Sequence, residues 1–395
     1  MSGNLANRSI SESLRDIESS TFIECFEDIP DSRDQDHVMY PMQETLFLVV
    51  ASVISGYEEN RAIEDFGRLK LDWLRQYFPF NNGIPTHGTI GNIIGLIDTQ
   101  FFEKAFREWV NRAFGIASNS LLHIDGKRIS GSVDKELQGL SASKGGKSAS
   151  LIVNTYVSDT KTVVAQADVS QSGDEKEGAK RLIEQLHLKD KIITGDGNYC
   201  TKDILQRIRK KKGHYLMALK GNQPLLKELA EQYFDDVRID KMPHHTDEQA
   251  HGRSEQRTYH AIRVDQFGHD KIKEYAGLCK IIRVRRQREV LRKKQAQKSD
   301  EIHFYITSSD QPIAYLANAI RKHWQVENNL HWVLDVEFKE DHSRKRTGNQ
   351  AANFSLIRKV ALNMIEQHRG KKSIKATRMA CALSDEKRQL ILGFT

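Results

Sequence analysis

Asp125 and Asp196 each close a short apolar run and stand directly before a glycine, in HIDG (123–126) and TGDG (194–197). An apolar run that ends in an acid reads as a strand carrying a carboxylate to the C-terminal edge of a sheet, where open α/β folds place ligands. The glycine lets a second group come close to the backbone. Taken singly, an Asp before Gly is ordinarily a turn residue. Two on one sheet, with a third acid from a later helix, read as a cluster. The third acid is Glu327 in RKHWQVENNLHWVLDVEFKED (321–341). On a helix it shares a face with His323, four before, and His331, four after, with Trp324 and Asn328 beside it. Trp324, Leu330, Trp332 and Leu334 are expected to pack as the apolar shell that fixes this helix. Three carboxylates around one point repel, and divalent cations relieve the repulsion. Hard oxygen ligands suit Mg²⁺ or Mn²⁺. Two such ions, about 3.5–4 Å apart, stabilise both oxygens of an in-line phosphoryl displacement. The expected chemistry is metal-dependent phosphoryl transfer on nucleic acid.

The elements that must position these acids are legible in outline. SLLHIDG, beginning at 120, and KIITGD (191–196) read as strands. SASLIVNTYVS (148–158) and KTVVAQADV (161–169) read as a hairpin between them. EKEGAKRLIEQLHL (175–188) and TKDILQRIRKKKG (201–213) read as helices, the second closed by Gly213. HYLMALKGNQ (214–223) is a further strand. The order strand, hairpin, helix, strand, helix, strand predicts a mixed α/β sheet covered by helices. Residues from about 225 to 310 break the alternation with a helix and antiparallel strands, inserted before helices over 311–332 and 349–368. Residues 21–117 read as a helical domain. Gly56 stops a buried helix over 45–56, and Thr86 or Thr89 caps a later one. The predicted division is a flexible segment over 1–20, the helical domain over 21–117, the catalytic domain over 118–375 and a C-terminal tail over 376–395.

Composition narrows the partners. The 395 residues carry a net charge of +7, spread unevenly. Residues 1–120 hold 10 Lys and Arg against 18 Asp and Glu, a net of −8; the rest hold 50 against 35, a net of +15. A basic body suggests a polyanion, with nucleic acid first. RVRRQREVLRKKQAQK (283–298) places eight bases and one acid in sixteen residues. Four scattered Cys, with no CxxC pair, exclude a zinc ribbon and a disulfide scaffold. The polar N-terminus is no signal peptide, and LFLVVASVIS (46–55) is too short to span a bilayer. The expectation is a soluble protein of a reducing compartment.

Together these stretches resemble the H-repeat-associated, ISAs-type insertion-sequence transposases, within the wider DDE group. The matching blocks are DSRDQDHVMYPMQETLFLVVASVISGYEENRAIEDF, LLHIDGKRISGS, IITGDGNYCTKDILQRI with YLMALKGNQPLL, HGRSEQRTY, and RKHWQVENNLHWVLDVEFKED. They cover roughly residues 26–368. The resemblance implies a ribonuclease-H-like mixed sheet with flanking helices, a β-strand insertion before the last catalytic helix, and an N-terminal helical domain. It implies Asp125 and Asp196 as metal-binding acids and Glu327 as the third, with Mg²⁺ as cofactor, Mn²⁺ substituting, and two ions. It implies a bacterial, cytoplasmic, nucleoid-associated protein with no membrane partner. Its partners would be double-stranded DNA, both terminal inverted repeats and target, bound as a homodimer or larger. The chain departs from the family pattern at Gly197, where Ala is usual. It also lacks the Arg and Lys that related enzymes carry around the Glu, having His323 and Leu334 at those spacings.

Further contacts are expected from single residues. Lys127, Arg128 and Lys220 lie just after strands and suit phosphates near a scissile bond. Asn222, His323 and Arg253, the last in HGRSEQR with His251 and Glu255, are expected near the DNA. Arg285 and Arg286 in the basic run should hold the backbone, giving affinity without sequence information. Glu340 and Asp341 are spare acids, expected as surface or capping residues. Two other readings stay open: a decayed or domesticated protein that binds DNA without cutting, and a stand-alone metal-dependent nuclease.

Overall fold

β1 (Leu121–Ile129) is the strand around which the sheet is assembled. It pairs antiparallel with β2 (Ser150–Val157) on one side and parallel with β4 (Ile192–Gly195) on the other. β3 (Thr162–Asp168) follows β2 in a hairpin, and β5 (His214–Leu219) runs parallel to β4. The order β3-β2-β1-β4-β5, three antiparallel strands followed by two parallel ones, is the ribonuclease-H-like sheet. LIVNTYV and TVVAQA are buried nearly throughout, as strands covered on both faces must be. The computed structural model describes residues 21–115, 117, 120–132, 149–236, 243–250, 253–266, 270–290 and 298–394. The segment 1–20 and residues 291–297 of the basic run lie outside the described residues.

Two helices make the crossovers. α7 (Glu175–Gln185) joins β3 to β4, and its first turn is capped by Asp174, which accepts from the Lys176 N–H. α8 (Lys202–Lys210) joins β4 to β5 under a Thr201 cap. Its left-handed closing residue is Lys212, φ 60°, rather than Gly213. Gly213 instead lies against the Leu188 carbonyl, 3.0 Å from where a Cβ would stand.

The insertion begins with α9 (Pro224–Asp236) and continues as β6 (His244–Ala250), β7 (Arg253–Arg263), β8 (Lys280–Val290) and β9 (Lys298–Thr307). These strands are antiparallel, and β9 pairs with β5. The insertion therefore extends the central sheet to nine strands. α10 (Ile313–Val326) then crosses the sheet. Leu316, Ala317, Ala319 and Ile320 pack on Leu121, Ile192, Leu216, Ile282 and Tyr305, which ties the insertion to the older strands.

The N-terminal helices are α1 (Thr21–Glu27), α2 (Met42–Ile54), α3 (Asn60–Leu69), α4 (Leu71–Leu74), α5 (His87–Leu96) and α6 (Thr99–Ala113). α2 is buried along nearly its whole length, its Glu44 accepting from the Phe80 N–H, and Gly56 ends it at φ 92°. Thr86 caps α5, accepting from the Thr89 N–H. α12 (Gln350–His368) packs against α2, α5, α6 and β3, so the helical unit and the sheet share one core. Asn353 on α12 donates to the Ile94 and Ile97 carbonyls, and Asn363 to Val163 on β3.

The expected C-terminal tail is not a tail. Residues 374–392 form α13 (Ile374–Leu383) and α14 (Asp385–Leu392), docked on the N-terminal helices. Arg378 donates to the Val53 carbonyl and to Glu58. Arg388 is wholly buried between the Phe66 and Trp73 rings and donates to Ser55 Oγ. Periodicity is weak in helices this short, and the buried arginines read as surface charge. No described helix is long and apolar enough to cross a membrane.

Candidate active site

The parallel pairing of β1 and β4 sets Ile124 opposite Gly195. Asp196 follows the end of β4, as expected, but Asp125 lies within β1, which runs on against β2 to Ile129 instead of ending at the acid. Asp196 leaves β4 and caps a single 3-10 turn over Gly197–Tyr199, accepting from the Asn198 N–H. Lys220, just past β5, donates to its other oxygen at 2.7 Å. Burial would raise the Asp196 carboxyl, but Lys220 and the Asn198 N–H outweigh it and hold the group below its ordinary range. Gly197 makes room for this contact, since a Cβ there would stand 2.7 Å from the Lys220 stem. Asn222 donates to the Gly197 carbonyl at 2.7 Å, and Gln223 to Cys200 at 2.9 Å. The Lys-x-Asn-Gln stretch thus buttresses the loop that presents Asp196.

Glu327 arrives from the other side. α10 passes into one π turn over Glu327–His331 and resumes as α11 (Trp332–Val336). Such wide turns are uncommon and concentrate at functional sites. The turn leaves the Glu327 side chain 74% exposed and swings His331 inward, to 6%. His331 Nδ1 lies 3.2 Å from Glu327 Oε2 and 3.6 Å from Asp125 Oδ2. One ligand atom from each of Asp125, Glu327 and His331 lies within 4.8 Å of the other two. Burial first, with Glu327 and Asp196 adding to it, pushes the Asp125 carboxyl up to about 6. The His331 contact holds Glu327 below its ordinary range.

These residues fit a divalent cation. The donors include two carboxylates, and Asp125 is raised first by burial and then by the neighbouring acids, a penalty that a bound cation would relieve. His331 Nε2 is buried with no hydrogen-bond partner among the described residues. Asp125 and Glu327 would hold the ion, with His331 orienting them or adding a nitrogen; Asp196, its oxygens engaged by the Asn198 N–H and Lys220, stands outside that group.

Of the other expected contacts, several face inward. Lys127 is buried, and its ammonium is held by Asp335 and by Glu340 at 2.9 Å, with Asp341 at 3.7 Å. It clamps β1 to the segment after Glu327 and is not placed to grip phosphate. Glu340, expected at the surface, is 1% exposed. Asn222 is occupied by backbone carbonyls, as above. His323 meets the Thr194 hydroxyl at 2.9 Å, and burial lowers its ring to about 4, so it is neutral and no phosphate-binding cation at neutral pH.

Arg128 is exposed but projects from the opposite face of β1 to Asp125. Arg285 is exposed and forks onto Asp300. Arg286 turns to Glu255, which Arg257 also holds. Glu255 of the HGRSEQR block thus joins two insertion strands. His251 and the Arg253 side chain lie outside the described residues. Lys220 remains exposed at the carboxylates.

The expected apolar shell divides. Leu330 and Leu334 are buried, whereas Trp324 and Trp332 are 56% and 53% exposed beside Glu327. Sequence reasoning missed the Lys127 clamp and the bridging role of His331. The second had a signal, because His331 shares the helical face of Glu327; the first had none, since Lys127 reads as a surface base.

The family model described as Transposase DDE domain matches residues 116–364, and the one described as DDE_Tnp_1-associated matches residues 23–110. "Putative transposase YncI" of Escherichia coli O157:H7 is 37% identical over 362 residues, 90% of each chain. "H repeat-associated putative transposase YhhI" of Escherichia coli K12 is 34% identical over 340 residues, 85% of this chain and 88% of that one. Among solved structures, the piggyBac transposase synaptic complex with hairpin DNA aligns at a TM-score of 0.41 and 10% identity, covering 96% of this chain and 78% of that one.

Proposed function

The chain belongs to the DDE transposases, in the family of the H-repeat-associated proteins, and on that premise we propose that it cuts DNA at the ends of its own element and joins them to a target. The reading is supported by the cluster of Asp125, Glu327 and His331, whose ligand atoms lie within 4.8 Å of one another, with Asp196 just past the end of the neighbouring β4. Asp125, Asp196 and Glu327 hold the divalent cations, Mg²⁺ or Mn²⁺. The bound ions supply charge stabilisation to the oxygens that attack and leave phosphorus.

The chain's own contribution is placement. In the first step water forms a bond to phosphorus at the element end, and the 3′-oxygen leaves as a free hydroxyl. In the second that hydroxyl attacks a target phosphate and displaces its bridging oxygen. Neither step forms a bond to the enzyme. Lys220, exposed beside Asp196, contacts the phosphate oxygens next to the reacting one. Trp324 and Trp332 offer flat apolar faces beside Glu327, suited to stacking on bases unpaired during cutting. Double-stranded DNA with terminal repeats, bound by two or more copies of the chain, is the substrate.

A supercoiled plasmid carrying the element's ends tests this, incubated with the protein and Mg²⁺ or Mn²⁺ beside Asp196→Ala and Glu327→Ala. The expected result is nicking and joining at the ends, abolished by either substitution and absent on a plasmid without ends. Equal cutting of both plasmids would replace the reading with a nuclease. Binding of ends without cutting, in every form, would replace it with a non-catalytic DNA-binding protein.

A further inference from the structure

One layer beneath the carboxylates lies a second convergence that uses the same three elements. His123 stands two residues before Asp125 on β1, and Thr194 two before Asp196 on β4. His323 stands four before Glu327 on α10. A spacing of two on a strand and of four on a helix keeps each residue on the same face as its acid. His123 and Thr194 are register partners across the parallel pair. Thr194 Oγ1 lies 2.6 Å from His123 Nδ1 and 2.9 Å from His323 Nδ1. The two rings are 5.9 Å apart. His123 Nε2 continues the chain to Ser158 Oγ at 3.0 Å, just past β2. His123 and Thr194 are fully buried.

We propose that His123, Thr194 and His323 are positioning residues: a hydrogen-bonded tie that sets the spacing of the three carboxylates for the metal ions. The inference rests on the reading of Asp125, Asp196 and Glu327 as the metal-binding acids. An apolar trio would pack equally well but tolerate sliding of α10 over the sheet. A hydroxyl between two imidazoles does not. A neutral imidazole has one donor and one acceptor, and the hydroxyl can donate to one ring while accepting from the other. Every link is satisfied at one relative position of β1, β4 and α10. A shift leaves buried polar atoms unpaired. The helix contributes the acid of highest exposure, so its placement gains most from a tie at its root.

The test is Mn²⁺ binding by the full chain without DNA, followed by electron paramagnetic resonance of the free ion. Thr194→Val removes the hydroxyl while keeping the side-chain shape. It should raise the Mn²⁺ Kd several-fold, short of the roughly 10-fold or more seen when a direct partner of a metal ligand is removed. Thr194→Ser should restore binding. Unfolding in urea is measured on each variant, since a role in stability alone would shift the midpoint and leave the Kd unchanged. If Thr194→Val does not fold, His323→Asn, which keeps a polar atom for the hydroxyl, is read against His323→Leu. The tie is overturned if Thr194→Val binds as wild type, or if Thr194→Ser is as weak as Thr194→Val. Asp125→Asn separates the two levels. If it binds Mn²⁺ as tightly as wild type, the reading of the acids fails and the tie with it. If it loses Mn²⁺ while Thr194→Val does not, the tie alone fails.

Discussion

At the scale of single residues, the buried clamp behind the site makes the sharpest demand on the chain. Lys127 lies two residues past Asp125, and its partners Asp335 and Glu340 are 208 and 213 residues away. Lys127→Met would leave Glu340 buried beside Ser355 with one cation fewer, and breaking a buried pair in this way costs about 3–5 kcal/mol. Urea unfolding should show that loss. Burial would raise the Glu340 carboxyl, but Lys359, Lys127 and Arg358 together hold it at about 2. Its folded value lies below the unfolded one, so its contribution is present above pH 4.5 and lost as the pH falls towards 2. That contribution is about 3 kcal/mol from the size of the shift. Glu340→Gln should flatten the stability profile in that window; an unchanged slope would remove Glu340 from the account of acid unfolding. The three acids proposed for the site each carry a local signal in the sequence: an apolar run with a following glycine, or a helix with unusual neighbours. Lys127 was not legible, because a lysine's burial is decided by partners hundreds of residues distant, and its own neighbours in sequence do not reveal them.

At the scale of elements, the segment 313–336 has two faces with different tasks. Leu316, Ala319, Ile320, Leu330 and Leu334 hold it on the sheet, while Trp324, Trp332 and Val336 remain more than half exposed. The periodicity marked a helix but not the π turn, which needs the inward pull of His331 to be seen. Nor did it assign the tryptophans, since an apolar residue in an amphipathic pattern reads as core. Their exposure predicts a function on DNA: Trp324→Ala with Trp332→Ala should weaken binding to end DNA with unpaired bases by about 1–3 kcal/mol per stacked base. Trp324 also donates its indole N–H to Tyr305 at 3.3 Å, so urea unfolding of the double variant is measured beside the binding. Affinity that is unchanged on unpaired DNA would assign the two rings elsewhere. The last two helices carry the opposite lesson. Deleting residues 374–395 removes Arg378 from Glu58 and Arg388 from between Phe66 and Trp73. The truncated chain should lose cooperative thermal unfolding; a melting curve like that of the full chain would restore the reading of this segment as a tail.

Across the whole molecule, charge is divided along the chain. The first 120 residues carry −8 and the remainder +15. The sheet order brings the basic portion into one body, with the insertion strands extending the edge beyond β5, beside the strand that leads to Lys220. Many of its arginines are already matched by acids, as Arg285 is by Asp300 and Arg286 by Glu255. Net charge therefore overstates the number of phosphates the surface can neutralise, and the salt dependence of binding counts the real number. Each phosphate contact adds about −0.9 to the slope of log K against log salt on duplex DNA. With six or more contacts, affinity for any duplex should fall by about 10³-fold or more between 50 and 200 mM salt. Lys220→Ala should reduce the slope by up to about one unit with Mg²⁺ present, when Asp196 is taken up by the ions and its ammonium is freed for phosphate. Arg285→Ala should reduce it by less, since Asp300 already competes for that guanidinium. A slope that is shallow in the wild type and indifferent to Lys220 would mean that the basic body does not hold the DNA backbone. Affinity for the element's ends would then have to come from contacts with the bases themselves.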